Sequence, residues 1–239
     1  MSDDGEAPDM HILLLPGFMA DASLWDDVVA DFGDVGEVSH GDLSRSATIE
    51  GMASHVLASA PRRFAIVGFS MGGYVAREVA RLAPDRVQAL VLVATSARAD
   101  TSAQTRRKTF AARNVDTERF RGLSRNGVLS SLHPDRADDE AMIERVRAMS
   151  ERVGGAVFVR HASQERTGDL DRLASIRCPT LVVAAERDAL RSLDESRELR
   201  DGIAGATMVV VEGTGHMIPI ERPAELAAAI VPWLRGHAV

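Results

Sequence analysis

Apolar runs of strand length alternate with helical patterns along most of this chain, and that alternation restricts its fold more than any other feature. "HILLL" (11–15) is followed by "SLWDDVVADF" (23–32), "GEVSH" (36–40) and "TIEGMASHVLASA" (48–60). "FAIVGF" (64–69), "MGGYVAREVARLA" (71–83) and "VQALVLVAT" (87–95) continue the pattern. After a gap come "TLVVAA" (180–185), a polar helix, "TMVVVE" (207–212) and "PAELAAAIVPWLRG" (223–236). Strand, helix, strand repeated in this way predicts right-handed crossovers and a parallel sheet covered by helices on both faces, an α/β fold. "VQALVLVA" and "TLVVAA" lack polar alternation, as expected of strands buried on both sides.

The gap, residues 97–172, has a different character. It is rich in Arg, Asp, Glu and Ser, and Met142, Val146 and Met149 fall at helical spacing. About 75 residues without a strand signal are too many for a loop in a compact domain. The chain therefore divides into a core of 1–96 and 173–239 and a helical lid insertion of 97–172, expected as several short helices over the sheet edge.

Composition narrows the classes of function. With 239 residues, 45% of them hydrophobic, the chain can bury one sizeable core. Its 35 acidic against 28 basic residues give a net charge of -7, which argues against nucleic-acid or membrane-surface partners. Arg106, Arg107 and Lys108 form the densest basic run, and it reads as a solvated helix face. Cys178, the only cysteine, reads as a small buried hydrophobe at a strand entry. "MSDDGEAPDM" lacks a secretory signal pattern, and no apolar run approaches the ~20 residues of a membrane span. A soluble cytoplasmic monomer or homodimer is expected.

The richest chemical signal is "IVGFSMGGYV" (66–75), where Ser70 stands between Gly68 and Gly72, after a strand and at the opening of a helix. Five loosely constrained positions alone are weak evidence, because glycine turns hold serines by chance in many proteins; the strand–turn–helix setting is what makes Ser70 a nucleophile candidate. The turn forces the serine into an unfavourable backbone conformation and brings positions 68 and 72 too close for a Cβ. The hydroxyl then projects above the carboxyl edge of the sheet, beside a helix N-terminus that favours a developing oxyanion.

A serine nucleophile needs a base, and His216 lies in the loop between the last strand and a helix opened by Pro223. His11, His40, His55 and His237 sit in or beside regular elements or at the chain end, whereas His133 and His161 belong to the insertion and are candidates to line the pocket. For the acid that orients the imidazole, "ERDALRSLDE" offers Glu186, Asp188 and Asp194. Asp188, in the turn after the strand, is the choice; the competing view of it is a helix N-cap, and Asp100 after the preceding strand is the other sensible acid. The order Ser, acid, His along the chain fits this arrangement.

The backbone N–H of Met71, next to Ser70, is the first oxyanion donor expected. The Pro16–Gly17 turn after the first strand points to the N–H of Phe18 as the second. Phe18, Met19, Met71 and Met217 are expected to surround the serine, with Phe158, His161 and Gln164 reaching it from the insertion. No His-x-x-x-His, Cys-x-x-Cys, Walker or Gly-x-Gly-x-x-Gly motif occurs, so no metal or other cofactor is implied.

Through "LLLPGFMADASLW", "IVGFSMGGYVA", "LVVAAERDAL" and "GTGHMIPIERP" the chain resembles the α/β-hydrolase superfamily over essentially its whole length. It is most similar there to small serine esterases such as pimeloyl-carrier-protein methyl ester esterase, with non-haem haloperoxidases and enol-lactonases as cousins. The resemblance implies a triad of Ser70, Asp188 and His216, oxyanion donors at Phe18 and Met71, and hydrolysis of a small-molecule carboxylic ester; the apolar side chains expected around Ser70 suit a small or medium, largely apolar acyl group. Thioesters, lactones and C–C bonds are chemically adjacent, and a ligand sensor retaining the triad is the alternative of another class. Pro16 stands where most relatives have His, which leaves the backbone donor in place but removes an imidazole behind it. Most relatives also begin with an antiparallel pair of strands, whereas only ten residues precede His11 here, so the sheet is expected to be trimmed to about six strands, all parallel.

Overall fold

The computed structural model describes residues 10–237. Within them β1 (Met10–Leu15), β2 (Gly36–His40), β3 (Phe64–Phe69), β4 (Val87–Val93), β5 (Thr180–Ala185) and β6 (Thr207–Val211) form one six-stranded sheet in the order β2-β1-β3-β4-β5-β6. Every neighbouring pair is parallel. β3, β4 and β5 are buried almost throughout, which is why their sequences carry no polar alternation. The chain leaves β1 toward β2 on one side and returns to β3 on the other, so the carboxyl ends of β1 and β3 flank a topological switch point, where α/β sheets form their clefts.

The helices are α1 (Val29–Gly33), α2 (Ile49–Ser59), α3 (Met71–Leu82), α4 (Ser102–Asn114), α5 (Arg125–Leu129), α6 (Glu140–Val153), α7 (Gly155–Ala162), α8 (Leu193–Gly202), α9 (Ile218–Glu221) and α10 (Pro223–Arg235). Alternate residues of each strand divide the core in two. Ile12, Leu14, Val67 and Val91 join Phe32 of α1 and Ile230 of α10 on one face; Leu13, Leu15, Ile66 and Leu90 join α2, α3 and Leu199 of α8 on the other. Local signals set the helix starts. Thr48 accepts from the N–H of Gly51 to open α2, and Ser192 with Glu195 forms a capping box at α8. The 23–32 run departs from one continuous helix: a 3-10 turn at Ala22–Trp25, capped by Asp21, precedes the short α1.

Residues 97–172 hold α4 to α7 and short 3-10 turns, with no strand. Both ends of this segment are tied to α3. The buried guanidinium of Arg77 donates to both carboxylate oxygens of Asp169, at 2.9 and 2.7 Å, and to the carbonyl of Ser96 at 2.8 Å. The Asp169 N–H donates to the carbonyl of Ala97 at 2.8 Å, and Arg81 reaches the same carboxylate at 2.9 Å. Gly168 permits the closure, because it holds φ at +77° and a Cβ there would stand 2.6 Å from the Ala99 nitrogen. Among the described residues no helix is long and apolar enough to cross a membrane.

Burial alone would raise the Asp169 carboxyl, yet Arg77 and Arg81 hold it below the usual carboxylate range. A carboxyl depressed on folding stabilises the fold at pH values above its unfolded pKa, about 4, and that contribution is lost as pH falls through the folded value. Asp169→Asn leaves Arg77 buried without its counter-charge, so chemical denaturation at pH 7 should show a loss of about 3–5 kcal/mol. An unchanged unfolding midpoint would contradict this role.

Candidate active site

The site begins with a steric constraint at the tip of β3. Ser70 adopts φ 52° and ψ -112°, a region that non-glycine residues occupy only under strain of about 1–3 kcal/mol. A Cβ on Gly68 would lie 2.5 Å from the Gly72 carbonyl oxygen, and one on Gly72 would lie 2.5 Å from the Pro16 oxygen. On Gly17 it would meet the Phe69 ring at 2.8 Å and the Ser70 Cβ at 3.2 Å. Three backbone segments are thus packed against one another around the serine. The strained turn is held by the Ser70 N–H donating to Val93 at 2.9 Å and by Thr95 Oγ1 and the Gly73 N–H donating to the Ser70 carbonyl at 2.7 and 3.0 Å.

His216 reaches this point from the loop after β6. Its Nε2 lies 2.9 Å from Ser70 Oγ, and its Nδ1 lies 2.7 Å from Asp188 Oδ2. A carboxylate can only accept, so Nδ1–H donates to Asp188 and the Nε2 lone pair accepts the Ser70 hydroxyl. The Asp188 side chain is almost fully enclosed. Its other oxygen, Oδ1, accepts from the N–H groups of Leu190 and Arg191 at 2.7 and 2.9 Å, so one residue both caps its turn and holds the imidazole. Glu186 instead accepts from the Gly213 N–H and Asp194 pairs with Arg197. Asp100 is engaged by Lys108 at 2.5 Å.

A residue unremarked in the sequence shapes the histidine loop. The buried Glu221 accepts from the N–H groups of Gly215 and Met217 at 3.0 and 3.2 Å and from that of His133 at 2.7 Å. Its one signal was a carboxylate inside the apolar stretch "MIPIERP".

Ser70 and His216 open into a cavity of about 570 Å³, whose walls include Phe18, Met19, Phe158 and Met217. Phe18 and Phe158 pack edge to face, with ring centroids 5.8 Å apart. Four expectations about side chains are corrected. Met71 points into the core with Leu15, Met52 and Val75, because the first residue of α3 faces the sheet; only its backbone remains at the serine. His161 lies behind Phe18, bonded to the Leu43 carbonyl at 3.1 Å, and burial holds its imidazole below the usual histidine range. Gln164 turns its amide toward the Met52 sulfur. His133 is also occupied elsewhere, accepting from the Asp135 N–H. As the first residue of α3, Met71 has an N–H with no intrahelical acceptor, and Phe18 lies in the loop packed on Ser70. Burial pushes the Cys178 thiol up to about 11, which leaves it a poor nucleophile.

This arrangement can draw the proton from a hydroxyl while the imidazolium that forms faces a fixed carboxylate. Comparison with known proteins fits that chemistry. The sequence model of the alpha/beta hydrolase family matches residues 12–229. RutD of Rhizobium rhizogenes, which carries a carbamate-hydrolase name, is 27% identical over 215 residues, covering 83% of this chain and 78% of that protein. Pimeloyl-acyl-carrier-protein methyl ester esterase of Klebsiella pneumoniae is 38% identical over 96 residues, a match spanning 37% of each chain. A thermophilic esterase from Thermogutta terrifontis, solved with malate bound, superimposes with a TM-score of 0.87 at 26% identity, covering 98% of this chain and 92% of that one.

The backbone strain has a direct thermodynamic consequence. Ser70→Gly and Ser70→Ala both remove the hydroxyl, but only glycine relieves the positive φ. Ser70→Gly should therefore be more stable than Ser70→Ala by roughly 1–2 kcal/mol in urea unfolding. Equal stabilities, or a more stable alanine variant, would contradict the strain.

Proposed function

The chain belongs to the alpha/beta hydrolase family, and within it we propose a carboxylic ester hydrolase that works through an acyl-enzyme on Ser70. The observation that carries this reading is the unbroken chain of hydrogen bonds from Ser70 Oγ through His216 to the enclosed Asp188. Ser70 Oγ attacks the ester carbonyl while His216 Nε2 takes its proton; the carbonyl oxygen, now negative, is met by the N–H groups of Met71 and Phe18. Collapse of the tetrahedral intermediate expels the alcohol, which receives the proton from His216. Water then enters, gives its proton to Nε2, and releases the carboxylic acid and Ser70. Asp188 keeps the imidazole in the required tautomer and stabilises its cationic form.

The insertion serves as a lid in this reading. Leu123, Val146, Met149 and Phe158 face Phe18, Met19 and Met217 across the cavity, giving the acyl group an apolar wall. The esterase names of the Klebsiella and Thermogutta proteins support ester hydrolysis over the other bonds that the same groups attack.

Kinetics of the acid variant test this assignment. On 4-nitrophenyl hexanoate, Asp188→Asn should lose about 10⁴ in kcat at neutral pH with KM little changed, because the amide favours the wrong tautomer. Asp194→Asn, on the exposed start of α8, should remain within roughly tenfold of the parent, about 1.4 kcal/mol. An active Asp188→Asn protein would remove the third member of the proposed triad.

A further inference from the structure

One wall of the cavity is cationic although the chain as a whole is acidic, and its only lysine stands there. Asp100, Arg107, Lys108, Arg166 and Arg191 line the same space as Ser70 and His216. The side chains of Lys108, Arg166 and Arg191 are only 19%, 8% and 11% exposed. Lys108 Nζ lies 2.5 Å from Asp100 Oδ2 and 2.6 Å from the Gln164 carbonyl. Arg166 reaches Asp100 only at 3.9 Å, donates its Nε–H to Gln164 Oε1 at 3.3 Å and spreads over the Tyr74 ring, 5.2 Å from its centroid. Arg191 stands 5.9 Å from the same ring, its nearest carboxylate is Glu195 at 3.5 Å, and its buried Nε has no partner.

Asp100 has a structural duty: its N–H donates to the Arg166 carbonyl at 3.0 Å, joining the two ends of the insertion. Its carboxylate is the counter-charge of one cation, Lys108. Three partly buried cations share two carboxylates, Asp100 and Glu195, and Arg107 adds a further charge at the rim. Burial lowers Lys108, and the charges of Arg166 and Arg191 lower it further against the pull of Asp100. Buried charge without a full complement of counter-charge is costly, and in a ligand cavity the missing partner is supplied by the ligand. A carboxylate meets the need, because guanidinium and ammonium donors bind it through short, charge-assisted hydrogen bonds.

We infer that this wall is a subsite for a carboxylate carried by the substrate, bound by Lys108, Arg166 and Arg191. The substrate class is an ester with a free carboxylate at the far end of one of its halves, such as a half-ester of a dicarboxylic acid. The inference rests on the ester-hydrolase reading: the scissile carbonyl lies at Ser70, the chain follows the apolar wall, and the anion ends at the basic one.

The test compares kcat/KM for esters differing only in that charge. Monomethyl adipate is set against methyl adipamate for a carboxylate on the acyl side, and the butanoate ester of 4-hydroxybutanoate against that of 4-hydroxybutanamide for the alcohol side. The wild-type protein should favour the anion at least tenfold in one pair, which also identifies the half that carries it. That ratio should fall below threefold in Arg191→Gln, and in Lys108→Gln as a second variant should the first fail to fold. A purely structural role would lower both members of a pair together and leave the ratio intact. Cleavage of all esters with no anionic preference overturns the subsite while leaving the hydrolase reading standing. If no ester is cleaved, the hydrolase reading fails, and calorimetry with adipate decides the subsite: binding weakened at least tenfold in the variant sustains it, and absent or unchanged binding overturns it.

Discussion

The structure depends on how closely three pieces of backbone approach one another at the tip of β3. Gly68, Gly72 and Gly17 let the strand, the helix and the β1 loop meet at distances no side chain would allow, and Ser70 is held at a positive φ as the result. The strain is sustained by the surrounding packing: Val93, Thr95 and Gly73 hold the peptide groups of Ser70 in place. Because β3 lies beside the switch point of a parallel sheet, the strained turn faces a cleft that the topology had already opened. Local sterics and global topology thus deliver the hydroxyl to one place, at a helix N-terminus and within reach of two loops that follow other strands.

The same economy governs the insertion. A segment of this length would be a loose appendage if its ends were free. Arg77 binds the chain where it leaves the core, at Ser96, and where it returns, at Asp169. Asp100 and Arg166 repeat the closure one layer nearer the cavity. The helices between these ties form one wall of the space over Ser70, so the cations beside the ties also face the cavity. Asp100 and Arg166, which secure the base of the insertion, thus also line the cavity over Ser70.

The sheet was legible in the sequence because it rests on local patterns: continuous apolar runs for buried strands, glycines for a close approach, and capping residues at helix starts. The three polar residues that the structure joins at Ser70 were legible for a related reason, since each follows a strand and topology gathers strand ends. What escaped depended on long-range packing. Whether Met71 faced the cleft or the core turned on the direction of α3 against the sheet. His161 was drawn to the Leu43 carbonyl from across the chain, and Glu221 acquired its role only once the His216 loop had curled over it. The basic run at 106–108 read as a solvated face, and Arg106 and Arg107 are indeed exposed, but Lys108 turns inward to the Asp100 carboxylate and the Gln164 carbonyl, the latter distant in sequence.

The central claim, that Ser70 is the nucleophile, is tested most directly by reaction with a fluorophosphonate. Intact mass should show a single added phosphonyl group on the folded protein, and mapping should place it on Ser70 within the tryptic peptide of residues 64–77. His216→Ala should abolish the labelling. A label on another serine, or none on folded protein, would contradict the account.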